Sequence, residues 1–328
     1  MSHTGISVVI PNYNGMHLLS ETLPPLFIAL QRTGNDYEVI ISDDHSTDGS
    51  VQFLQSIYPG IIVLESKVNL GFSPTINKGI FITKFDKVLL LNSDVKLSPD
   101  YFNGLANYFD MPDTFGVMGR IIGWDDEEIQ DGGKYPGFHG AKIKTSGNYI
   151  PLHPEADDKL YSMYLSGANA LVSRQKLLEL GGFDEIFAPF YVEDYEISLR
   201  AWRIGYKCYY HHEAESRHKV SASVTSKNRK NFVNAIYYRN KMYLHAMHLE
   251  GTSLFLWYLQ LLPETLIRLF TFRFYYLQSL AMFFSNHKRM KNSIKKLHLT
   301  RDRKDILSVK EVADFIILNL KEKVIKRF

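Results

Sequence analysis

Four short runs in the first hundred residues are apolar at almost every position: 6–10 (ISVVI), 38–41 (EVII), 61–64 (IIVL) and 88–91 (VLLL). Each ends in polar or turn-forming residues. Runs of this kind, apolar on both faces and rich in β-branched side chains, predict buried parallel strands. They are separated by roughly twenty to thirty residues, enough for crossover helices. One such helix is predicted to start after Ser46-Thr47-Asp48, good N-terminal residues. The pattern predicts a doubly wound α/β sheet with right-handed crossovers.

From 121 to 154 periodicity fades and Gly, Asp and Pro accumulate, predicting loops and short strands over the sheet. The segment 160–172 reads as a return to the core. In 192–204, Ile197, Ala201 and Ile204 stand at helical spacing, Glu193 and Asp194 open the helix and Gly205 stops it. A strand is predicted over 206–210, and helix from Ser226 to the end. The stretches 251–263 and 274–287 carry no Asp, Glu, Lys or Arg, and ten of the thirty residues of 255–284 are aromatic. A spanning helix needs about 20 apolar residues. Glu264, Arg268 and Arg273 interrupt the run before that length. A pair of interfacial helices, with Trp257, Tyr258, Tyr275 and Tyr276 at headgroup level, is the expectation. The same helices would also serve as an oligomer interface or a helical cap on the body.

Composition alters this picture in one respect. The chain has 328 residues, 45% hydrophobic and 22% charged, which excludes a disordered chain. The single cysteine, Cys208, excludes an internal disulfide framework and fits a reducing compartment. No charged and then apolar leader opens the sequence, so export by a signal peptide is not expected. The net charge of +3 hides an asymmetry: 286–328 holds 13 Lys+Arg against 5 Asp+Glu, and the rest is acidic. A basic tail points to an anionic partner, a membrane surface or nucleic acid. No aromatic base-reading module accompanies it, so a nucleic-acid partner is not expected.

Ligands of open α/β sheets bind beyond the carboxyl ends of the strands. There the chain delivers Pro11-Asn12-Tyr13-Asn14-Gly15, then Asp43 to Gly49, then Asn92-Ser93-Asp94. No dinucleotide or P-loop fingerprint is present. Carboxylates gathered at one rim call for a cation or hydrogen bonds, and a hard divalent metal fits. Asp94 is the ligand favoured by position, an Asx-turn or N-cap before Ser98-Pro99 being the alternative.

The segments ISVVIPNYNG, EVIISDDHSTDGS, NLGFSPTINKG and LLLNSDV, followed by SGANALVSRQKLLELGGFDEIFAPFYVEDYEISLRAWRIGYK, together resemble the family 2 inverting glycosyltransferases of GT-A type. Rhamnosyltransferase-like bacterial members are the nearest flavour. The resemblance covers about 6–218 in order, and YYRNK at 237–241 also resembles the family. It implies a mostly parallel central sheet flanked by helices over 1–225, with nucleotide- and acceptor-binding halves meeting near 120. A helical extension, 226–328, would follow.

On the same resemblance, Pro11 and Tyr13 would flank a nucleotide base, and Asp44 beside Asp43 would accept hydrogen bonds from base or ribose. Asn69 and Gly71 would shape a loop near the nucleotide. The acidic metal motif stands as Asn92-Ser93-Asp94, its first acid replaced by an amide. Asp94 would keep Mg²⁺ or Mn²⁺, Asn92 would bind ribose or a metal-bound water, and His218 would complete the shell, with His211 and His212 as rivals. Asp194 would be the base and Glu193 would orient it or the acceptor. Gly167 and Ala168 would let the acceptor approach, while Trp124, Phe190 and Tyr191 are sugar-stacking candidates. Lys78 reads as an exposed helical lysine. The implied partners are a UDP-, dTDP- or GDP-linked sugar and a glycan or lipid-linked acceptor, at the cytoplasmic face of the cell membrane. The competing readings are transfer to polyprenyl phosphate, a nonenzymatic sugar or nucleotide binder, and a nucleotidyltransferase, for which the loop after the first run is a poor match.

Overall fold

The computed structural model describes residues 3–154, 159–219, 227–299 and 306–328. The chain runs β1 (His3–Asn12), α1 (Met16–Arg32), β2 (Tyr37–Asp43), α2 (Ser50–Ile57), β3 (Ile62–Glu65), α3 (Phe72–Ile82), β4 (Phe85–Leu91) and β5 (Val95–Leu97). It continues through β6 (Thr114–Gly123), β7 (Ile129–Asp131), β8 (Gly133–Lys134), β9 (Phe138–His139), β10 (Lys142–Ile143), β11 (Asn148–Pro151), β12 (Leu160–Tyr161), β13 (Asn169–Ser173), α4 (Arg174–Glu179), α5 (Glu193–Arg203) and β14 (Lys207–His218). Then come α6 (Lys227–His248), α7 (Gly251–Phe270), α8 (Tyr275–Ser285), α9 (His287–Leu299), α10 (Val309–Leu320) and β15 (Ile325–Arg327).

The main sheet has the order β12-β14-β6-β13-β4-β1-β2-β3. Strands β4, β1, β2 and β3 are parallel, as the apolar runs predict. Both faces are covered. Val9, Ile40, Val88 and Leu90 point to one cluster with α3 and α5, and Val8, Ile10, Val39, Ile41, Leu89 and Leu91 to a second cluster with α1. That alternation explains why these strands read as continuous hydrophobic runs. Beyond β4 the sheet turns mixed: β13 is antiparallel to both β4 and β6.

Strand β14 outruns its predicted span of 206–210 and reaches His218 along β6. Its polar far half escapes a hydrophobicity reading, because ladder pairing rather than burial holds it there. The expected boundary near 225 lies outside the described residues. After it, α6 to α10 contribute Tyr243, Trp257, Tyr276, Phe283, Val312 and Ile316 to the cluster that α3 and α5 use. The helical run ends in a strand, β15, which pairs with β11. Among the described residues no helix is long and apolar enough to cross a membrane. Trp257 and Tyr276 are buried, not at a headgroup level; Trp257 stacks on His245, and Tyr275 on Tyr238. Tyr258 is exposed, in line with the expectation for it, and the outward faces of α7 and α8 otherwise present mainly Phe and Leu.

Helix α6 grips the turn before α5. The fully buried Asn240 directs Nδ2 at the carbonyl oxygens of Phe187, Phe190 and Tyr191 at 2.6, 2.9 and 2.8 Å, and its Oδ1 accepts from Arg239. Tyr191 and Val192 both lie in the left-handed region, with φ of 75° and 74°. A β-branched residue there is strained, and such strain persists only where surroundings over-determine it. Replacing Asn240 by Ala leaves three buried carbonyls short of a donor. The expected loss is about 3 kcal/mol of unfolding free energy, read as a lower denaturant midpoint with unchanged slope.

Candidate active site

The strand exits gather around a cavity of about 450 Å³ lined by Pro11, Asn12, Tyr13, Asp44, Asn69, Gly71, Phe72, Thr75, Asn92, Ser93, Asp94, Pro189 and Phe190. That volume suits a small ligand. Seven of the lining residues are among those singled out in the sequence for nucleotide or metal. Tyr13 is more than half exposed, an open ring at the mouth.

The two neighbouring aspartates do different work. Asp43 does not line the cavity. It is buried, accepting from Asn12 Nδ2 (2.9 Å) and from the Ser46 backbone N–H (2.8 Å), so it ties β1 to the loop after β2. Asp44 reaches the cavity, and both its oxygens already accept backbone N–H groups, from Leu70 and Gly71, each at 2.8 Å. Each carboxylate oxygen retains a further lone pair for a ligand. Gly71 has φ +87°, and a Cβ there would sit 2.5 Å from Pro189 Cα. Glycine is therefore required where α3 starts against the 187–191 turn, and the Phe72 N–H donates to Pro189 O at 2.7 Å. Lys78 is half-buried rather than exposed, donating to Ser66 Oγ at 2.6 Å.

Asp94 and His218 meet across the β5–β14 ladder, which pairs His218 with Val95. His218 Nε2 stands 3.5 Å from Asp94 Oδ2. His218 Nδ1 lies 3.0 Å from Gln130 Oε1, an acceptor, so Nδ1 carries a proton and Nε2 faces Asp94. Asp94 Oδ1 is buried with no partner. The Asp94 carboxylate draws the imidazole pKa upward, so this corner favours positive charge. Among the described residues no group of three His, Cys, Asp or Glu is placed to hold a metal. Two protein ligands with an orphaned carboxylate oxygen fit a hard divalent cation that takes its other ligands from phosphate and water. His211 and His212 are engaged elsewhere, with Tyr108, and with Arg120 and Tyr210.

Glu193 and Asp194 open α5 straight after the strained pair, where the dipole favours negative charge. Burial pushes both carboxyls above the ordinary range, and Asp194 raises Glu193 further. Glu193 Oε2 has no hydrogen-bond partner. Asp194 Oδ1 accepts the Tyr195 N–H at 2.7 Å, the Gly167 N–H donates to it as well, and it keeps a partial opening to solvent. A desolvated carboxyl pair of this kind can share one proton, leaving a basic carboxylate. The turn at 166–168 links this pair to the metal corner, because Ala168 O accepts the Asn92 N–H at 3.1 Å. Gly167 and Ala168 thus act through their backbone on Asp194 and Asn92.

Trp124 is less suited to a sugar than its residue type suggests, since Lys96 and Lys219 sit 4.0 and 5.1 Å from its ring centroid. Tyr191 is about half exposed and packs edge-on against Phe190. Sequence reasoning missed Gln130, and it gave no role to Phe72, Thr75 and Pro189, which lie within the segments that carry the resemblance. Asn240 lay within the quoted YYRNK segment but without a role.

The Glycosyl transferase family 2 model matches residues 7–181, more than half of the chain. The chain is 26% identical over 253 residues to an N-acetylglucosaminyl-diphospho-decaprenol L-rhamnosyltransferase of Mycobacterium tuberculosis, covering 66% of this chain and 79% of that one. In structure it resembles GalNAc-T7 with UDP, GalNAc and Mn²⁺ (TM-score 0.64, 16% identity, 97% of this chain and 57% of that one). It also resembles a mannosyltransferase from Pyrobaculum calidifontis in complex with GDP-Man and Mn²⁺ (TM-score 0.54, 14% identity, 98% and 81%). The parallel half-sheet, the cavity at its strand exits and these matches lead to one conclusion: the chain belongs to glycosyltransferase family 2 and has the GT-A fold of a glycosyltransferase.

Proposed function

We propose that this glycosyltransferase moves a hexosyl or deoxyhexosyl unit, with inversion, from a UDP-, dTDP- or GDP-linked donor to a glycan hydroxyl, in cell-surface polysaccharide or lipid-linked oligosaccharide synthesis. The observation that carries the reading is the desolvated Glu193–Asp194 pair, tied through Gly167, Ala168 and Asn92 to Asp94. Inversion requires one base and no covalent nucleophile. Asp194 takes the proton of the attacking hydroxyl, and Glu193 orients it. Tyr13 and Pro11 flank the base of the nucleotide, Asp44 and Asn92 accept or donate around the ribose, and the Asn69–Gly71 loop walls it in. Mg²⁺ or Mn²⁺ held by Asp94 and His218 would offset the charge that grows on the leaving diphosphate. A lipid-linked acceptor is supported by the name of the mycobacterial relative.

The surface supports placing the enzyme at a membrane. Along α7, Phe255, Leu259, Leu262, Leu266 and Phe270 form one exposed stripe, and Phe272 beyond it is 79% exposed. Elsewhere in the same helical extension α9 presents exposed Lys288, Arg289, Lys291 and Lys295. An exposed apolar stripe in an extension that also carries basic residues suits the interface of an anionic leaflet, here the cytoplasmic one.

Four measurements test this reading. Asp194→Asn is expected to lower turnover by about 10² to 10⁴-fold while leaving nucleoside diphosphate binding intact. Full turnover in that variant would favour transfer to a polyprenyl phosphate, which is already anionic and needs no base. Because burial raises its pKa and only the ionised form accepts a proton, wild-type kcat/KM should fall with acid at a pH above the ordinary carboxylate range. In a third measurement, Asp94→Ala should abolish the tightening of UDP, dTDP or GDP binding by Mn²⁺; an undiminished Mn²⁺ effect would remove Asp94 from the metal site. Finally, the protein should float with anionic liposomes and not with neutral ones, and Phe270→Ser with Phe272→Ser should reduce flotation without changing the fold by circular dichroism.

A further inference from the structure

One buried charged pair is absorbed neither by the nucleotide cavity nor by the metal corner. Lys134, on β8, is 5% exposed and forms an ion pair with Asp131 of β7. Its ammonium also reaches Asn148 Oδ1 at 3.1 Å and lies 5.0 Å from the centroid of the Tyr164 ring. Tyr164 packs against Tyr195 with centroids 4.6 Å apart, and the Tyr195 N–H holds Asp194. The backbone adds to the same junction: the Lys134 N–H donates to Ser162 Oγ, and the Met163 N–H donates to Lys134 O. The strand pair therefore abuts the segment that carries Gly167, whose N–H also reaches Asp194. The residue immediately before Lys134's partner makes the other connection, since Gln130 fixes the His218 ring.

Burying an ammonium and a carboxylate costs more than an apolar pair of the same volume unless the charges serve a purpose. We propose that Lys134 and Asp131 are a positioning pair that sets the charge on Asp194, Lys134 holding it ionised and Asp131 limiting that pull. The proposal rests on Asp194 being the base. The ammonium lies over Tyr164, Tyr164 packs on Tyr195, and the Tyr195 N–H donates to Asp194; Lys134 does not line the nucleotide cavity, so it acts through the carboxylate and touches no donor. The charged and titratable groups that face Asp194 are Glu193 on its own helix, Asp131 and Lys134 on the β7–β8 segment, and Tyr164 before β13. Of these only Lys134 is cationic, and it and Asp131 pull the Asp194 carboxyl in opposite directions.

The test is the pH profile of kcat/KM, followed by nucleoside diphosphate release from whichever UDP-, dTDP- or GDP-sugar the enzyme turns over. Lys134→Met should move the acid limb to higher pH, with a loss of roughly tenfold on that limb that shrinks as pH rises. Lys134→Arg should restore most of the wild-type profile. Asp131→Asn should move the limb the other way, to lower pH. A loosened fold would produce neither the opposite signs nor the recovery at alkaline pH. Binding of UDP, dTDP and GDP should be unchanged in all three. A loss by the same factor at every pH, an unmoved limb, or shifts of one sign in both variants would overturn the proposal. If Lys134→Met does not fold, the sign of the Asp131→Asn shift decides. Should Asp194→Asn lower turnover while these profiles stay unmoved, the pair fails and the base stands; should Asp194→Asn keep full turnover, both fail together.

Discussion

The site depends on a single buried amide. Asn240, itself fully buried, offers two N–H donors to three carbonyl oxygens of the 187–191 turn. That turn has to be held, because it leads into two consecutive left-handed residues, one of them β-branched. What it holds is threefold. Pro189 and Phe190 close the cavity, Pro189 O receives the first N–H of α3, and α5 starts with its two acids at the required point. The grip comes from α6, far along the chain. The helical extension thus packs as one body with the sheet: its inner side chains share the core with it, and the outer stripe of α7 and α8 is left apolar and uncovered.

The rim acids separate by how their oxygens are satisfied. Asp43 and Asp44 are both held by backbone and amide donors: Asp43 ties β1 to the loop after β2, and Asp44 accepts two backbone N–H groups while each of its oxygens keeps a lone pair for the cavity it lines. Asp94 and Glu193 each keep one buried oxygen without a partner. An unsatisfied buried carboxylate oxygen is costly, and it is retained where a proton or a cation is to be met. Asp43 stays out of the cavity and Asp44 lines it, so two adjacent aspartates, alike in sequence, contribute differently.

Distance between the two chemical corners is bridged by backbone. The 166–168 turn receives Asn92 on one side and holds Asp194 on the other. The β7–β8 segment does the same with side chains, Gln130 on His218 and the Lys134–Asp131 pair beside Asp194. Links of a few residues keep both corners in register, as the proposed transfer from a nucleotide-linked sugar to a hydroxyl would require.

Much of this was legible in the chain itself. The apolar runs mark β1 to β4; β1, β2 and β4 are buried on both faces, which demands hydrophobic residues at nearly every inner position, while β3 is an edge strand and only partly buried. The order of motifs identifies the family, and the strand-exit rule points to Tyr13, Asp44, Asn92 and Asp94, all of which line the cavity. Other features follow only from tertiary contacts. Trp257 and Tyr276 look like interfacial residues by type, and packing against α6 turns them inward. Trp124 looks free to stack, and two lysines from β5 and the end of β14 occupy its ring. Asn240, Gln130 and Lys134 carry no local signal, since their roles come from partners about 50, 90 and 60 residues away in the chain. Periodicity and motif order are local properties, and so the sequence alone determines the sheet and the chemical class. Which carboxylates are left unsatisfied is decided by long-range hydrogen bonds, and only the folded chain makes them.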